Sequence, residues 1–507
     1  MMFRFSARHR DLWPAFVVLA CVFALSSAAP SVAADAKTAG DKPALSVSFY
    51  RQVRPILQRE CAGCHQPSKQ GGKLVLTSYE GLKKGGESGE GFVSGKTAES
   101  TIITFISGEK PEMPRNRDPL HPKQVELIAR WITEGAKDDT PARVEETISP
   151  ENPPKYASPP VITALAYSPD SKLLAVSGYH EILVHNAEGG GLVKRLVGRA
   201  QRLEAIRFSP DGTLIGAVGG APALFGEVQL WSVADNKLVQ SITISYDTLF
   251  GASFSDDGSK FAFGSADNRA RVINVADGKE IMRFDAHSDW VLGTTFSQKL
   301  DHLITISRDM SMKLVIVENA QLVDNITSIT PGALKGGLMA VQRHPTKEQV
   351  LIGGSDGEPK LYKIFRTRVR VIGDDFNHIR SYDKLPGRIF DLQFNADGSR
   401  FVVCSSTAIA GAARIYKTGD YKTEDINNAG GLEDTIRETA ERSRAGALEH
   451  DLQQINGPIF AVAFRPDGKQ VAVGGFEGAV ALYDAQTGAL VKKFVPVEVA
   501  PIATASR

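Results

Sequence analysis

The chain has 507 residues, 42% hydrophobic and 23% charged, a globular composition on a length that calls for more than one domain. Its formal net charge of +1 excludes the basic excess expected of a nucleic-acid binder or of a protein held on an anionic membrane surface. With 47 glycines and 26 prolines, the body is expected to be turn-rich and mostly β.

Arg4, Arg8 and Arg10 precede an apolar run over residues 13–25, and small residues follow as far as Ala34. This is the layout of a secretory signal peptide, with Val32, Ala33 and Ala34 meeting the small-residue cleavage rule and residues 1–34 removed. The run is shorter than the about 20 residues of a spanning helix, so no transmembrane span is expected after cleavage. Cys21 lies in this run and is read as part of the discarded peptide, not as a lipid attachment point. The mature protein is thus expected in the periplasm or otherwise exported. Three cysteines remain, Cys61, Cys64 and Cys404, too few for the disulfide framework of an exported domain.

Residues 43–138 read as a small haem module. Cys61, Cys64 and His65 stand in CAGCH, and C-x-x-C-H is the attachment signature of c-type haem. Two thiols three positions apart can each bond one vinyl group of a single porphyrin, and the following histidine becomes the proximal iron ligand. A thioredoxin-like C-x-x-C would follow a strand. Here residues 46–60 carry Phe49, Val53, Ile56 and Leu57 at helical spacing, with Pro55 expected to kink or shorten the helix. A structural zinc site needs two more thiols or imidazoles nearby, and none is in view. For the sixth position on the iron, Met113 is the module's one methionine, and His65 and His121 are its two histidines. Met113 lies in the loop KPEMPRN, where Pro114 biases it away from helix. A His/Met pair raises the reduction potential and suits electron transfer. His121 is the alternative ligand, at the start of a helix expected over 122–134 and ended by Gly135.

The strings PILQRECAGCH, GKLVLTSYEGLKKGG, SGKTAESTIITFISG, EMP and RWITEGAKD resemble the small planctomycete-type cytochrome c domain, over residues 48–138. The resemblance implies an all-α cytochrome c domain with one covalent haem c. Trp131 in its last helix is expected to pack near the porphyrin edge in a structural role. Arg115 stands where the family usually has a second proline, which opens a contact between Arg115 and a haem propionate.

Residues 139–160 form a Pro-rich linker. Extended at about 3.1 Å per residue, it can hold two domains tens of ångströms apart, or it can lie along its neighbour. From residue 161 to 500 an internal repeat dominates: ITALAYSPDSKLLAVSG, LEAIRFSPDGTLIGAVGG, LFGASFSDDGSKFAFGS, RIFDLQFNADGSRFVVCSS and IFAVAFRPDGKQVAVGG. Each is an apolar strand, a turn built on Asp and Gly, and a second apolar strand, often followed by a third such as EVQLWSVA. Four short strands per unit of about 40 residues make the blade of an all-β propeller. Units begin near Val161, Arg202, Thr248, Trp290, Gly337, Arg388 and Pro458, which predicts seven four-stranded blades. These units resemble WD repeats with an eroded Trp-Asp pair; Trp231 is followed by Ser232, and Tyr483 keeps Asp484. A charged insertion at about 420–456, with a helical pattern over 432–444, is either a solvated loop helix or a docking element. Cys404, inside FVVCSS, is expected to be an inert core thiol, and the propeller histidines to lie in turns or on the surface.

The combination predicts an exported c-type cytochrome whose propeller is a protein-docking scaffold, passing electrons to or from a redox partner protein, and without catalytic residues of its own. An oxidoreductase in which the propeller binds substrate or a redox cofactor and feeds the haem is the first alternative. It is weakened by the lack of a second haem motif and by only two propeller tryptophans, Trp231 and Trp290. A haem-based sensor is the second alternative.

Overall fold

The computed structural model describes residues 46–66, 69–115, 117–141, 148–299, 301–328, 334–371, 374–419 and 448–500. The expected signal segment with Cys21, and the helix expected over 432–444, lie outside these residues.

The first part of the described chain is small and contains few helices. A π-helical turn, Phe49–Val53, runs directly into α1 (Arg54–Glu60). Pro55 falls in the first turn of α1, where a missing N–H matters least, so the proline is absorbed at the junction and the helical stretch continues to the cysteines. Three more helices follow: α2 (Tyr79–Lys84), α3 (Thr101–Ile106) and α4 (Pro122–Thr133). The one sheet in this part is a two-residue pairing of His65 with Gln70 and Gln66 with Lys69. Trp131 of α4 is buried between Phe49, at 5.3 Å, and Phe92, at 5.0 Å, and its indole N–H donates to the carbonyl of Lys137. Asp139 ties the two ends of this part together, accepting from the Ser48 hydroxyl (2.5 Å) and the Tyr50 N–H (2.8 Å).

The rest of the described residues form seven antiparallel four-stranded sheets, the blades of a β-propeller. The blades cover 165–197, 202–245, 249–284, 291–325, 338–381, 388–451 and 459–494, with strands in chain order within each. The first strand of every blade packs beside the first strands of its neighbours around the axis, and the fourth lies outermost. The repeated turn explains this regularity. In the third blade Ser255 donates to Asp257 (2.5 Å), Asp257 accepts from the Ser259 N–H (3.0 Å), and Gly258 takes φ +71°, which a side chain would strain. In the fifth blade, whose turn lacks that signature, His344 serves instead, accepting from the Thr346 N–H at 3.2 Å.

Two histidines depart from expectation: His185, in a strand, and His287 are buried, whereas His344 is buried in a turn. In His287 both ring nitrogens are partnered, Nδ1 with Asp309 (2.9 Å) and Nε2 with Thr305 (2.8 Å), which removes the penalty for burying an imidazole. Cys404 is buried as expected, and burial holds its thiol well above the ordinary value.

The described end of the linker, 148–160, lies against the first blade. Tyr156 donates to Glu181 of the first blade (2.7 Å), Arg195 of the same blade donates to the carbonyl of Pro154 (2.7 Å), and Tyr156 bridges in parallel to Val499. The ring closes beside it, where the Ile162 N–H donates to the Gly475 carbonyl (3.0 Å).

Candidate haem-attachment site

The cysteines and histidine follow α1 in a single compact turn. The N–H groups of Cys61 and Ala62 donate to the Leu57 carbonyl (3.0 and 2.9 Å), and those of Cys64 and His65 donate to the Cys61 carbonyl (both 3.1 Å). The backbone of the motif thus satisfies the Leu57 carbonyl in the last turn of the helix.

Cys61 packs against the apolar cluster of Leu57, Ile102, Ile128 and Trp131; burial pushes its thiol up to about 12, and Glu60 adds to the shift. Cys64 is exposed. The Nδ1 atom of His65 is buried with no hydrogen-bond partner. Burial lowers the imidazole's pKa, against the pull of the Gly71 and Leu74 carbonyls, so the ring stays in the neutral form that can ligate a metal. The positive charge of Arg115 lowers it further, so the loop that carries Met113 lies within electrostatic reach of His65. Met113 packs on the same apolar cluster as Cys61, and its N–H donates to the Phe105 carbonyl (3.0 Å). His121 caps α4, its Nδ1 accepting from the Lys123 N–H (3.2 Å). Two thiols and an imidazole on one turn, with a thioether on the adjoining core, fit the demands of a covalently held haem. Among the described residues no group of three or more His, Cys, Asp or Glu is arranged to hold a bare metal ion.

What the sequence did not reveal is that this turn rests on the propeller. The outermost strand of the second blade, Leu238–Ser245, runs against it. Gln66, buried, donates to the Ser241 hydroxyl (2.9 Å), Lys69 donates to the Val239 carbonyl (2.9 Å), and Arg117 donates to the Thr243 carbonyl (3.0 Å). The Arg59 guanidinium lies 4.3 Å from the centre of the Tyr246 ring. Arg199, between the first two blades, donates to the Gln58 carbonyl of α1 and to the Thr243 hydroxyl (2.5 Å). The pairs that join the haem-motif segment to the propeller lie more than a hundred positions apart, and no local pattern marks them.

Elsewhere, Trp231 is buried in its blade, whereas Trp290 stacks on Phe250 (5.5 Å, 19°) at the wall of a cavity of about 810 Å³ on the propeller axis. Charged residues of both signs line that cavity, Arg202, Arg308 and Arg388 beside Glu204, Asp289 and Asp391. Among the described residues no helix is long and apolar enough to cross a membrane.

Comparison with known proteins agrees with both parts. Residues 61–116 match the family Planctomycete cytochrome C. A WD repeat-containing protein of Synechocystis is 30% identical over 101 residues, 20% of this chain and 28% of the relative's own length. Eukaryotic translation initiation factor 3 subunit I of Xenopus tropicalis is 21% identical over 322 residues, 57% of this chain and 94% of that relative. Apoptotic protease-activating factor 1 of the mouse is 22% identical over 275 residues, 54% of this chain and 20% of that relative. The chain is a fusion of a planctomycete-type cytochrome c segment with a seven-bladed WD-repeat propeller.

Proposed function

We propose that the chain is an exported c-type cytochrome that carries one covalent haem c and exchanges electrons with a partner protein docked on its propeller. The observation that carries this reading is the buried, unpartnered Nδ1 of His65 in the same turn as Cys61 and Cys64. When bound, the haem supplies a one-electron iron couple. Cys61 and Cys64 would anchor it, and His65 and Met113 would ligate its iron. Two features support Met113 over His121: Met113 adjoins the core that Cys61 touches, and His121 Nδ1 is engaged as a helix cap. The apolar cluster around Trp131 excludes water from the site and holds its geometry through the redox cycle. Export follows from the signal-like residues 1–34 and from the demand that thioether attachment places on the cysteines.

The test is direct. Haem should stay with the denatured chain on a gel, and Cys61→Ser with Cys64→Ser should abolish that retention. Complete loss of haem from the denatured wild-type chain would refute the reading.

A further inference from the structure

The haem-attachment turn is gripped on both flanks by one buried charge cluster of the propeller. Glu227, in the third strand of the second blade, is fully buried, and its carboxylate accepts from the Ser241 hydroxyl. Ser241 in turn accepts from Gln66, the residue after His65. The same carboxylate faces Arg199 at 3.4 Å, with the two side chains 0% and 7% exposed, and Arg199 donates to the carbonyl of Gln58, three residues before Cys61. Gln229 donates to the other oxygen of Glu227 (2.8 Å) and accepts from the Trp231 indole (3.0 Å), so the carboxylate cannot swing away. Arg199 also lies 4.0 Å from the centre of the Phe225 ring, which fixes its plane.

A buried ion pair contributes little to net stability unless its geometry is held by further hydrogen bonds, and it is better suited to specifying one arrangement. Here one arm leads to each side of the 61–65 turn. We propose that Arg199 and Glu227 are positioning residues of the haem site: the second blade sets the attachment turn and contributes a fixed pair of charges to the electrostatics of the iron. The propeller is then part of the redox site, beyond its role as a docking platform. The charge on Glu227 favours the more positive, oxidised iron, so its removal should favour the reduced state.

The test uses the full chain and two readouts. Hydrogen exchange of amides 57–66 should accelerate at least tenfold in Arg199→Met and in Ser241→Ala, with amides 101–106 unchanged. Ser241→Ala cuts the Gln66 arm and one hydrogen bond to Glu227 but keeps both charges of the ion pair, so it remains informative if the other variants fold poorly. In the haem-loaded protein, Glu227→Gln should raise the midpoint potential while thioether attachment is retained, a change that a purely structural contact would not produce. Exchange within twofold of wild type in both variants, or an unmoved potential in Glu227→Gln, overturns the proposal. Only the potential rests on the haem reading. The exchange experiment reports on the grip even in a chain without haem, so the two ideas fail separately.

Discussion

A methyl group on Gly63 would lie 2.6 Å from the carbonyl oxygen of Ser241. Gly63 is the residue between Ala62 and Cys64, and the obstacle is backbone, which cannot rotate aside. Its smallness is therefore required by the second blade and not by the haem motif, in which that position is free.

Gly63→Ala should push the attachment turn off the second blade. Overpacking of this kind costs about 1–3 kcal/mol. Urea denaturation of the full chain should show the loss as a lower midpoint. An unchanged midpoint, with exchange at 238–245 also unchanged, would mean the contact is not held in solution.

In the haem-free chain the three described cysteines, Cys61, Cys64 and Cys404, should label in a fixed order. Cys64 is exposed, Cys61 is half-buried with its thiol pushed up to about 12, and Cys404 is fully buried. Because the thiolate is the reactive form, iodoacetamide at neutral pH should modify Cys64 first, Cys61 far more slowly, and Cys404 only on unfolding. Peptide mass spectrometry reads the order directly, and early labelling of Cys61 would contradict the burial described.

Met113→Ala should open the iron of the haem-loaded protein. The absorption spectrum should change from six-coordinate low-spin, carbon monoxide should bind faster, and the potential should fall, with the thioether bonds untouched. A wild-type spectrum that is already five-coordinate would favour a sensor. A six-coordinate spectrum unaffected by the substitution would move the ligand to His121.

Acid should destabilise the propeller through its turns. Asp257 is held at about 2 by hydrogen bonds from Ser255 and from the N–H and hydroxyl of Ser259, and Asp211 is lowered by Ser209 and Thr213 in the same manner. Carboxylates with a folded-state pKa below the unfolded value stabilise the fold above the unfolded pKa, about 3.9, and lose that contribution as pH falls through the folded one. Denaturation midpoints should therefore drop between about pH 4 and pH 2. Asp257→Asn should lower stability at neutral pH and flatten the acid slope. An unaltered slope in that variant would remove the turn from the explanation.

The blades were legible because their signals are local. A strand alternation and an Asp-Gly turn such as Asp257 with Gly258 fall within a dozen residues, and the boundaries read from them lie within a few residues of the strands. The compact turn that carries Cys61, Cys64 and His65 is equally local, its hydrogen bonds falling within nine residues. His287 was misread because its burial depends on Asp309, 22 residues on, and on Thr305, a pairing that no periodicity announces. The seating of Gln66 on Ser241 spans 175 residues and uses an amide and a hydroxyl, groups that occur on any surface. Pro55 suggested a broken helix; the π-helical turn before it supplied a junction that sequence periodicity does not encode.

Every blade is one uninterrupted stretch of chain, with no strand borrowed from the opposite terminus. Genetic duplication or deletion of a single unit would thus add or remove a whole blade without redrawing the others. The seam between the first and last blades is the place where such a change in ring size would be tolerated or rejected. The second blade is the exception, since losing it would take away the seat of the cytochrome segment along with a seventh of the ring.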